Sequence, residues 1–450
     1  MRILLKAGSR LPRIPHAGIE GMGRARARRH NGPMTIARAL ALLICCSCAA
    51  AFAAAPLPAS RPEAVGVSSE RLARLDAFIE RMQREKKLAG AVTVIARNGK
   101  LVSLKAHGLA DIEANRPMRA DDLFQLQSMT KPIATVAALQ LVEQGRLRLG
   151  DAVSKYLPEF SKMSIAVERA GAPGGYELVP AGRPMTILDL MTHRAGFIGV
   201  PPRDSPAARL RKEAVKTLAG DDNLDLAQYI SHLAASPLDA QPGAEFRYGP
   251  ATTVLGRVIE VVTGKTLDVV LREQIFEPLR MTDTWFAVPE AQRARVVPPY
   301  GLRPGQGLVR LPLDSMAPRF LSAGGNLFGT PIDYLRFCQM LLNGGELDGV
   351  RVLSRKSVEL MTASQVDPIP LPIFPGQYFG LGVAVRKADG QAGLLGSPGT
   401  FGWGGGYTTY FRIDPREKLV ILLFAQLDFS PFDLELQNGF HNAAMQVISD

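Results

Sequence analysis

The segment Ser128-Met129-Thr130-Lys131 is followed directly by Pro132, and this proline constrains the local fold more than any other residue of the chain. Proline lacks a backbone N–H and clashes with the preceding turn, so within a helix it belongs in the first turn. The apolar pattern that follows is typical of a helix that stops at Gly145. The sequence therefore predicts a helix that begins at about residue 128.

A serine at this helix start and a lysine one turn later form a candidate nucleophile and base. The helix dipole favours negative charge that develops near Ser128, and Lys131 lies on the same face. Burial disfavours the charged form of a lysine, and a neutral amine can take the proton of the Ser128 hydroxyl. Ser-x-x-Lys alone is weak evidence, because chance supplies about one in a chain of this length. The alternative is a helix-capping serine followed by a solvated lysine.

The sequence contains neither of two rival hydrolytic motifs. The nucleophile elbow G-x-S-x-G of α/β-hydrolases is absent, and so is the zinc motif H-E-x-x-H. The six histidines are scattered, and a Ser-Lys device needs none of them. We therefore expect no metal and no organic cofactor.

The first part of the chain has the pattern of a signal peptide. A charged start at Met34 precedes an apolar stretch over 39–52 and the small-residue site Ala51-Phe52-Ala53. We expect residues 1–53 to be a presequence cleaved after Ala53, with Met34 a candidate true start. The stretch is short for a membrane span, although an uncleaved anchor is the alternative.

Charge and cysteine content agree with an exported protein. Residues 1–56 carry nine basic residues and one acidic residue, a net +8 of the chain's +11, so the rest carries only +3. A nucleic-acid-binding body is therefore not supported. Cys45, Cys46 and Cys48 fall in the presequence and leave Cys338 alone, so no intrachain disulfide is expected. We expect a periplasmic or secreted protein, with a lipid-anchored form less favoured.

Periodicity in the remaining chain predicts strands at both ends and helices between them. Two β-rich runs, 90–96 and 101–107, flank the hairpin signal Asn98-Gly99. The other predicted elements are a helix over 70–86 with Ser69 as N-cap, a helix over 332–342, strand-like runs at 380–385, 402–413 and 419–424, and a helix over about 432–448. This order predicts an α+β fold in which a helical lobe is inserted into a sheet lobe.

The segment 124–132 resembles the active-site segment of class C β-lactamase-like hydrolases, in the serine β-lactamase/penicillin-binding-protein superfamily, and most closely that of family VIII carboxylesterases. Further matching stretches are 185–197, 242–248, 275–279 and 324–333, and the likeness covers nearly all of 65–448. The resemblance implies one hydrolase domain over 54–450. Its antiparallel sheet lobe, flanked by helices, would comprise about 65–125 and 320–450, and its mostly helical lobe about 126–319.

The second element of this family is Tyr-x-Asn, and here it reads Tyr248-Gly249-Pro250. The tyrosine is kept and the asparagine is not. By resemblance Tyr248 shares proton transfer with Lys131, and which of the two is the base stays open. The alternative is a packed aromatic residue with a satisfied hydroxyl.

The third element, Lys-Thr-Gly, is replaced by Trp403-Gly404-Gly405-Gly406, as in the esterase branch. A glycine run lets substrate approach the strand backbone, and the N–H of Gly405 or, preferably, Gly406 would join that of Ser128 as an oxyanion hole. Trp403 would form an apolar wall. Without the cation and hydroxyl that hold a carboxylate, the pocket is expected to favour neutral esters. A glycine bulge without function is the alternative.

These features predict a serine hydrolase that forms an acyl-enzyme on Ser128, most simply a carboxylesterase for small or short-chain esters. The alternatives are a β-lactamase or D-Ala-D-Ala carboxypeptidase, and a catalytically silent binding homologue. The expected partner is a small-molecule ester or amide, with no nucleic acid and no stable membrane span after cleavage, and the oligomeric state stays open. His193, Arg194 and Asp333 are interpreted as structural.

Overall fold

The computed structural model describes residues 57–171, 174–200, 202–211, 224–371, 374–388, 393–428 and 433–450. The predicted signal peptide lies outside these ranges. The described residues belong to one compact unit, Phe52–Asp450. Within the described ranges, none of the helices has the length and apolar character needed to cross a bilayer.

Strands and helices alternate unevenly along the chain. The strands are β1 (Gly90–Arg97), β2 (Lys100–Asp111), β3 (Arg116–Pro117), β4 (Phe124–Gln125), β5 (Ser164–Glu168), β6 (Tyr176–Pro180), β7 (Tyr300–Arg303), β8 (Gly307–Arg310), β9 (Phe328–Gly329), β10 (Glu346–Leu347), β11 (Val350–Arg351), β12 (Gln377–Phe379), β13 (Ala384–Arg386), β14 (Phe401–Gly404), β15 (Thr409–Asp414) and β16 (Leu419–Phe424). The helices are α1 (Ser69–Arg84), α2 (Thr130–Glu143), α3 (Ile187–Met191), α4 (Leu226–Ala234), α5 (Ala251–Thr263), α6 (Leu267–Leu271), α7 (Pro331–Leu342), α8 (Arg355–Met361) and α9 (Asp433–Met445).

One antiparallel sheet of eight strands, in the order β12-β13-β14-β15-β16-β1-β2-β3, organises the fold. The central strands β1 and β16 are buried along their whole length, so both faces of the sheet must be covered. Val92 and Val94 of β1 join the core that contains α2 and α7, and the alternate residues Ala91 and Ile95 join the core that contains α1 and α9. The predicted α+β arrangement of a sheet flanked by helices is confirmed.

The predicted hairpin between β1 and β2 is also confirmed. Asn98 and Gly99 have φ values of 54° and 73° and join Arg97 to its partner Lys100. Positive φ at both turn residues matches the right-handed twist of the flanking strands, and asparagine and glycine adopt it at low cost.

The helix with the candidate nucleophile starts as the proline predicts. A 3₁₀ turn over Gln127–Met129 leads into α2, and Pro132 is the third residue of that helix. The predicted start at about residue 128 is therefore confirmed. At α1 the N-cap is Ser68, whose hydroxyl accepts from the Arg71 N–H at 3.3 Å, and the predicted cap Ser69 is the first helical residue.

Two runs that the sequence predicts as single strands each contain the turn of a hairpin. The run 380–385 contains a turn between β12 and β13, in which the Gly380 N–H donates to Val383 O at 2.9 Å and Gly382 has a φ of 74°. The run 402–413 turns between β14 and β15, where Thr408 has a φ of 60°. An apolar, glycine-rich run does not reveal such a turn, because burial on both faces hides the usual polar signal. The middle of the chain also contains the hairpins β5–β6 and β7–β8, where mainly helices were expected. The proposed division into lobes stays a prediction.

Candidate active site

The Ser128 hydroxyl lies at the junction between a tight turn and α2. Gln127, the residue before it, has a φ of 48°, in the left-handed region that non-glycine residues seldom adopt. The turn is closed by the Met129 N–H, which donates to Leu126 O at 3.0 Å. The Tyr334 hydroxyl of α7 donates to Met129 O at 2.9 Å. Backbone strain and an external hydrogen bond together fix this turn.

Lys131 is only 5% exposed, although it carries an amine. Its Nζ is 2.8 Å from Ser128 Oγ and donates to the carbonyl oxygen of Gly324 at 2.7 Å. The predicted stacking of lysine behind serine is therefore present in the geometry. The Ser128 hydroxyl and the Lys131 amine are within direct proton-transfer distance.

The Gly324 carbonyl is a contact that sequence reasoning missed, although the stretch 324–333 was noted. A Cβ on Gly324 would lie 2.7 Å from Thr253 Oγ1, so only glycine fits here without displacement. The Gly324 N–H donates to Ser322 Oγ at 3.1 Å, and that hydroxyl is 2.9 Å from Thr253 Oγ1. These bonds anchor the loop to α5 and direct its carbonyl to Lys131.

Tyr248 stands beside the lysine and is held from two sides. Its hydroxyl accepts a hydrogen bond of 3.1 Å from Trp403 Nε1, and Lys131 Nζ lies 4.8 Å from the centroid of its ring. Its backbone pairs with Val200, with N···O distances of 2.7 and 3.1 Å. Because the hydroxyl oxygen accepts from the indole, its own proton remains available to a neighbouring oxygen or nitrogen.

His193 packs against the other side of this tyrosine. Its ring centroid is 4.5 Å from that of Tyr248, and neither ring nitrogen has a hydrogen-bond partner among the described residues. Burial, and secondarily the charge of Lys131, lowers the pKa of His193 well below its usual value, so the ring is neutral at physiological pH. The position agrees with the interpretation of His193 as a structural support.

The glycines after Trp403 allow the strand to touch the nucleophile turn. A Cβ on Gly405 would lie 2.4 Å from Leu126 O and 2.2 Å from Thr409 Oγ1, whereas a Cβ on Gly406 would meet open space. Thr409 Oγ1 donates to the same Leu126 carbonyl at 3.1 Å. The Gly405 N–H already donates to Thr409 O at 2.7 Å, so it is engaged within the hairpin.

A cavity of about 320 Å³ opens over Ser128 and gathers residues from seven parts of the chain. It is lined by Ser128, Val200, Tyr248, Leu371, Phe374, Gln377, Leu394, Trp403, Gly404, Gly405, Gly406, Tyr410, Arg412, Leu434, Gln437 and Asn438. The Phe374 ring stacks on Trp403 with centroids 4.8 Å apart and an interplanar angle of 11°. Every predicted site residue except Lys131 lines this cavity, and Lys131 lies directly behind Ser128.

Several lining residues were not predicted as site residues. The proline-rich loop that precedes and includes β12 contributes Leu371, Phe374 and Gln377 to the cavity. The lining residues on β15 and α9 belong to no recognisable sequence motif. They reach the cavity only because β15 pairs with β14 and α9 packs against the sheet.

The two other residues interpreted as structural have ordinary supporting contacts. Arg194 donates to the backbone carbonyl of Gly243. The Asp333 carboxylate accepts from the Asp283 N–H at 2.7 Å and the Thr284 hydroxyl at 2.8 Å. Burial raises the pKa of Asp333 to about 7. In the parts of the chain that the structure describes, acidic, histidine and cysteine side chains form no cluster suited to a metal ion.

Comparison with known proteins agrees with this geometry. The family model described as Beta-lactamase matches residues 75–445. The chain belongs to the β-lactamase family. Esterase EstB of Burkholderia gladioli is 32% identical over 372 residues, which cover 78% of this chain and 89% of the relative. A putative D-alanyl-D-alanine carboxypeptidase of Escherichia coli K12 is 28% identical, with 83% of this chain and 86% of the relative covered.

A solved structure gives the same result. The hydrolase EstCE1, described as having promiscuous acyltransferase activity, superposes with a TM-score of 0.69 at 28% identity over 83% of this chain and 98% of its own. The predicted resemblance to the serine β-lactamase/penicillin-binding-protein superfamily, with its esterase-like branch, is confirmed. The protein is accordingly an enzyme of the serine hydrolase type, from a family that acts on small-molecule substrates.

The contact between the glycine hairpin and the nucleophile turn yields a test of stability. We expect Gly405→Ala to lower the free energy of unfolding by about 1–3 kcal/mol, because the added methyl group overlaps Leu126 O and Thr409 Oγ1. The matched change Gly406→Ala adds the same methyl group in open space and should change it by less than about 0.5 kcal/mol. Urea unfolding monitored by circular dichroism measures both, and equal effects would contradict the proposed contact.

Proposed function

We propose that this protein is a carboxylesterase for small or short-chain esters that works through an acyl-enzyme on Ser128. The observation that carries the proposal is the hydrogen bond from Trp403 Nε1 to the Tyr248 hydroxyl. Trp403 stands where the family has the lysine of Lys-Thr-Gly. It contacts Tyr248 and offers no cation to the substrate.

Acylation starts at the short contact between Ser128 and Lys131. Lys131 accepts the hydroxyl proton as Ser128 Oγ attacks the carbonyl carbon of the ester, across a hydrogen bond of 2.8 Å. The Gly324 carbonyl holds the amine in place and stabilises the ammonium that forms. Tyr248 passes a proton to the leaving alcohol, and the C–O bond of the ester breaks.

The oxyanion of the tetrahedral intermediate needs backbone donors that are not already used. Of the two glycines considered, Gly405 donates its N–H within the hairpin, which supports Gly406 as the donor that acts with Ser128. Water then attacks the acyl-enzyme, with Tyr248 and Lys131 as the base system, and Ser128 recovers its proton. Which of the two side chains removes the proton from water stays open.

The walls of the cavity support an ester with a hydrocarbon part. Trp403, stacked with Phe374, and Leu371, Leu394 and Leu434 give most of the surface an apolar character. An apolar wall binds the hydrocarbon part of an ester without a counter-charge. The similarity to EstB and EstCE1, named as an esterase and as a hydrolase, adds support.

A second candidate is a D-Ala-D-Ala carboxypeptidase or a β-lactamase. The similarity to the putative D-alanyl-D-alanine carboxypeptidase of Escherichia coli favours the first of these. Steady-state kinetics on p-nitrophenyl butyrate, nitrocefin and a D-Ala-D-Ala peptide separates the candidates. We expect kcat/KM for the butyrate ester to exceed that for the other two by at least about 100-fold, and efficient turnover of only the latter two would refute the esterase proposal.

The nucleophile is tested by covalent labelling. A fluorophosphonate probe should add one adduct to the folded protein, because it captures an activated serine, and intact-mass spectrometry would detect it. Ser128→Ala should form no adduct and lose at least about 10³-fold in kcat on p-nitrophenyl butyrate. An unlabelled wild-type protein with a normal thermal transition would instead favour the catalytically silent alternative.

The indole contact is tested by Trp403→Phe. This change keeps an aromatic face for Phe374 but removes the donor to the Tyr248 hydroxyl, and a lost hydrogen bond of about 1 kcal/mol corresponds to about a fivefold loss in kcat. Phe374→Leu serves as the control, since it removes the stacking and keeps the donor, so KM should rise with kcat nearly unchanged. If both variants change KM alone, the indole acts only as a wall.

We also propose that the protein is exported after removal of its presequence. Expression of the full chain in a Gram-negative host followed by N-terminal sequencing should give a mature protein that begins at Ala54. A protein retained in the cytoplasm with its first 53 residues intact would refute this.

A further inference from the structure

Arg412 lies on β15 opposite Gly402 of β14 and lines the cavity above Ser128. It is the only charged side chain among the described residues that line this cavity. The residue is 6% exposed, so its guanidinium is largely removed from bulk water. Arginine remains charged under these conditions, and burial lowers its pKa without neutralising it.

The guanidinium is only partly satisfied by the protein. Its Nη1 donates to Phe411 O at 2.9 Å and to Trp403 O at 3.3 Å, and its Cζ lies 4.4 Å from the centroid of the Tyr410 ring. Among the described residues, Nε and Nη2 have no hydrogen-bond partner, and these two atoms are not sealed from solvent. Two parallel donors are the arrangement that a carboxylate accepts.

Other arginines of similar burial are each paired with a carboxylate. Arg97 pairs with Asp450, Arg247 pairs with Asp239, and Arg336 pairs with Asp348. Arg412 has no carboxylate within ion-pair distance in the described ranges. A buried cation without a counter-charge is unfavourable, and an anionic ligand would remove that cost.

The nearest acid on the same strand is already committed elsewhere. The Asp414 carboxylate accepts from the Ser397 N–H at 2.9 Å and the Thr400 hydroxyl at 2.8 Å, and also from two backbone N–H groups of the following turn. It therefore serves to close turns rather than to neutralise Arg412. A counter-charge can reach Arg412 from the cavity side, which the amide side chains of Gln377 and Asn438 also line.

We propose that Arg412 binds a carboxylate carried by the substrate at a distance from the scissile ester bond. This inference rests on the proposed esterase function and narrows its substrate class from neutral esters to esters that bear an acid group. Strand β14 lacks the lysine of the family's Lys-Thr-Gly element, and Arg412 on the neighbouring strand β15 supplies a cation instead. The acid group belongs either to the acyl part or to the alcohol part of the ester.

Two matched pairs of esters separate these two placements. For the acyl part, the mono-p-nitrophenyl ester of glutaric acid is compared with the same compound after methylation of its free acid. For the alcohol part, 4-carboxyphenyl butyrate is compared with its methyl ester. In one pair the acid should be hydrolysed with a kcat/KM at least about tenfold above that of its methylated partner, as expected for a charge-assisted hydrogen bond.

Variants then assign the preference to the arginine. Arg412→Met should bring the ratio of kcat/KM for the acid to kcat/KM for its methylated partner down to about one, and Arg412→Lys should retain part of the preference. Arg97→Met removes an arginine of similar burial on β1, outside the cavity, and should leave the preference intact. A general loss of structure lowers kcat/KM for both esters of a pair together, so the ratio of the two kcat/KM values reports the effect of the charge alone.

The possible outcomes are distinct for the two proposals. Hydrolysis of the methylated esters with no preference for either acid in the wild-type enzyme would overturn the role of Arg412 and leave the esterase in place. Hydrolysis of none of the four esters would overturn both. A preference that survives in Arg412→Met would also overturn the inference, and this comparison is valid whenever the variant retains activity on the methylated ester.

Discussion

The site depends on a buried amine that is held between two oxygens. Lys131 Nζ contacts Ser128 Oγ and the Gly324 carbonyl, and each contact comes from a different layer of the fold. The serine contact follows from helix geometry alone, because positions three apart share a face. The carbonyl contact requires the loop after residue 322 to approach α5 closely. Gly256 permits this approach, since a Cβ there would lie 2.7 Å from Ala323 Cβ.

The opposite wall of the site is joined to the nucleophile by an equally close contact. Leu126 O accepts from Thr409 Oγ1, and a Cβ on Gly405 would overlap both atoms. The glycine run therefore has a steric reason that is independent of catalysis. It brings β14 against the turn before Ser128, and this sets the distance across which substrate must fit. Trp403 can then reach Tyr248 from the same strand.

The sequence predicted the parts of the fold that depend on local chemistry. Pro132 located the start of α2, and Asn98-Gly99 located the hairpin between β1 and β2, because both rest on backbone preferences of single residues. The turns inside 380–385 and 402–413 escaped prediction. In both runs the hairpin shows apolar residues and glycines in the same pattern as a buried strand.

The residues of the site divide in the same way, into those that a local motif identifies and those that only the tertiary structure brings to the site. Motif residues such as Ser128 and Tyr248 were identified from the sequence, whereas the Gly324 carbonyl was not, because any residue offers a carbonyl and only tertiary structure selects one. Arg412 was hidden for a related reason. Its relation to the cavity comes from strand pairing, in which Gly402 leaves room for a long side chain: a Cβ there would lie 3.0 Å from Arg412 Cδ.

The arginine proposed to bind a carboxylate and the groups proposed to act on the ester bond lie on different elements that border one cavity. The groups proposed to make and break bonds come from α2, the start of α5 and the glycine hairpin, while β15, α9 and the loop that carries Phe374 form the rest of the wall. The Arg412 guanidinium is carried by the next strand, opposite Gly402, and can bind an anion from there. The cation on β15 therefore makes the neutral character of Trp403 compatible with a substrate that carries a carboxylate.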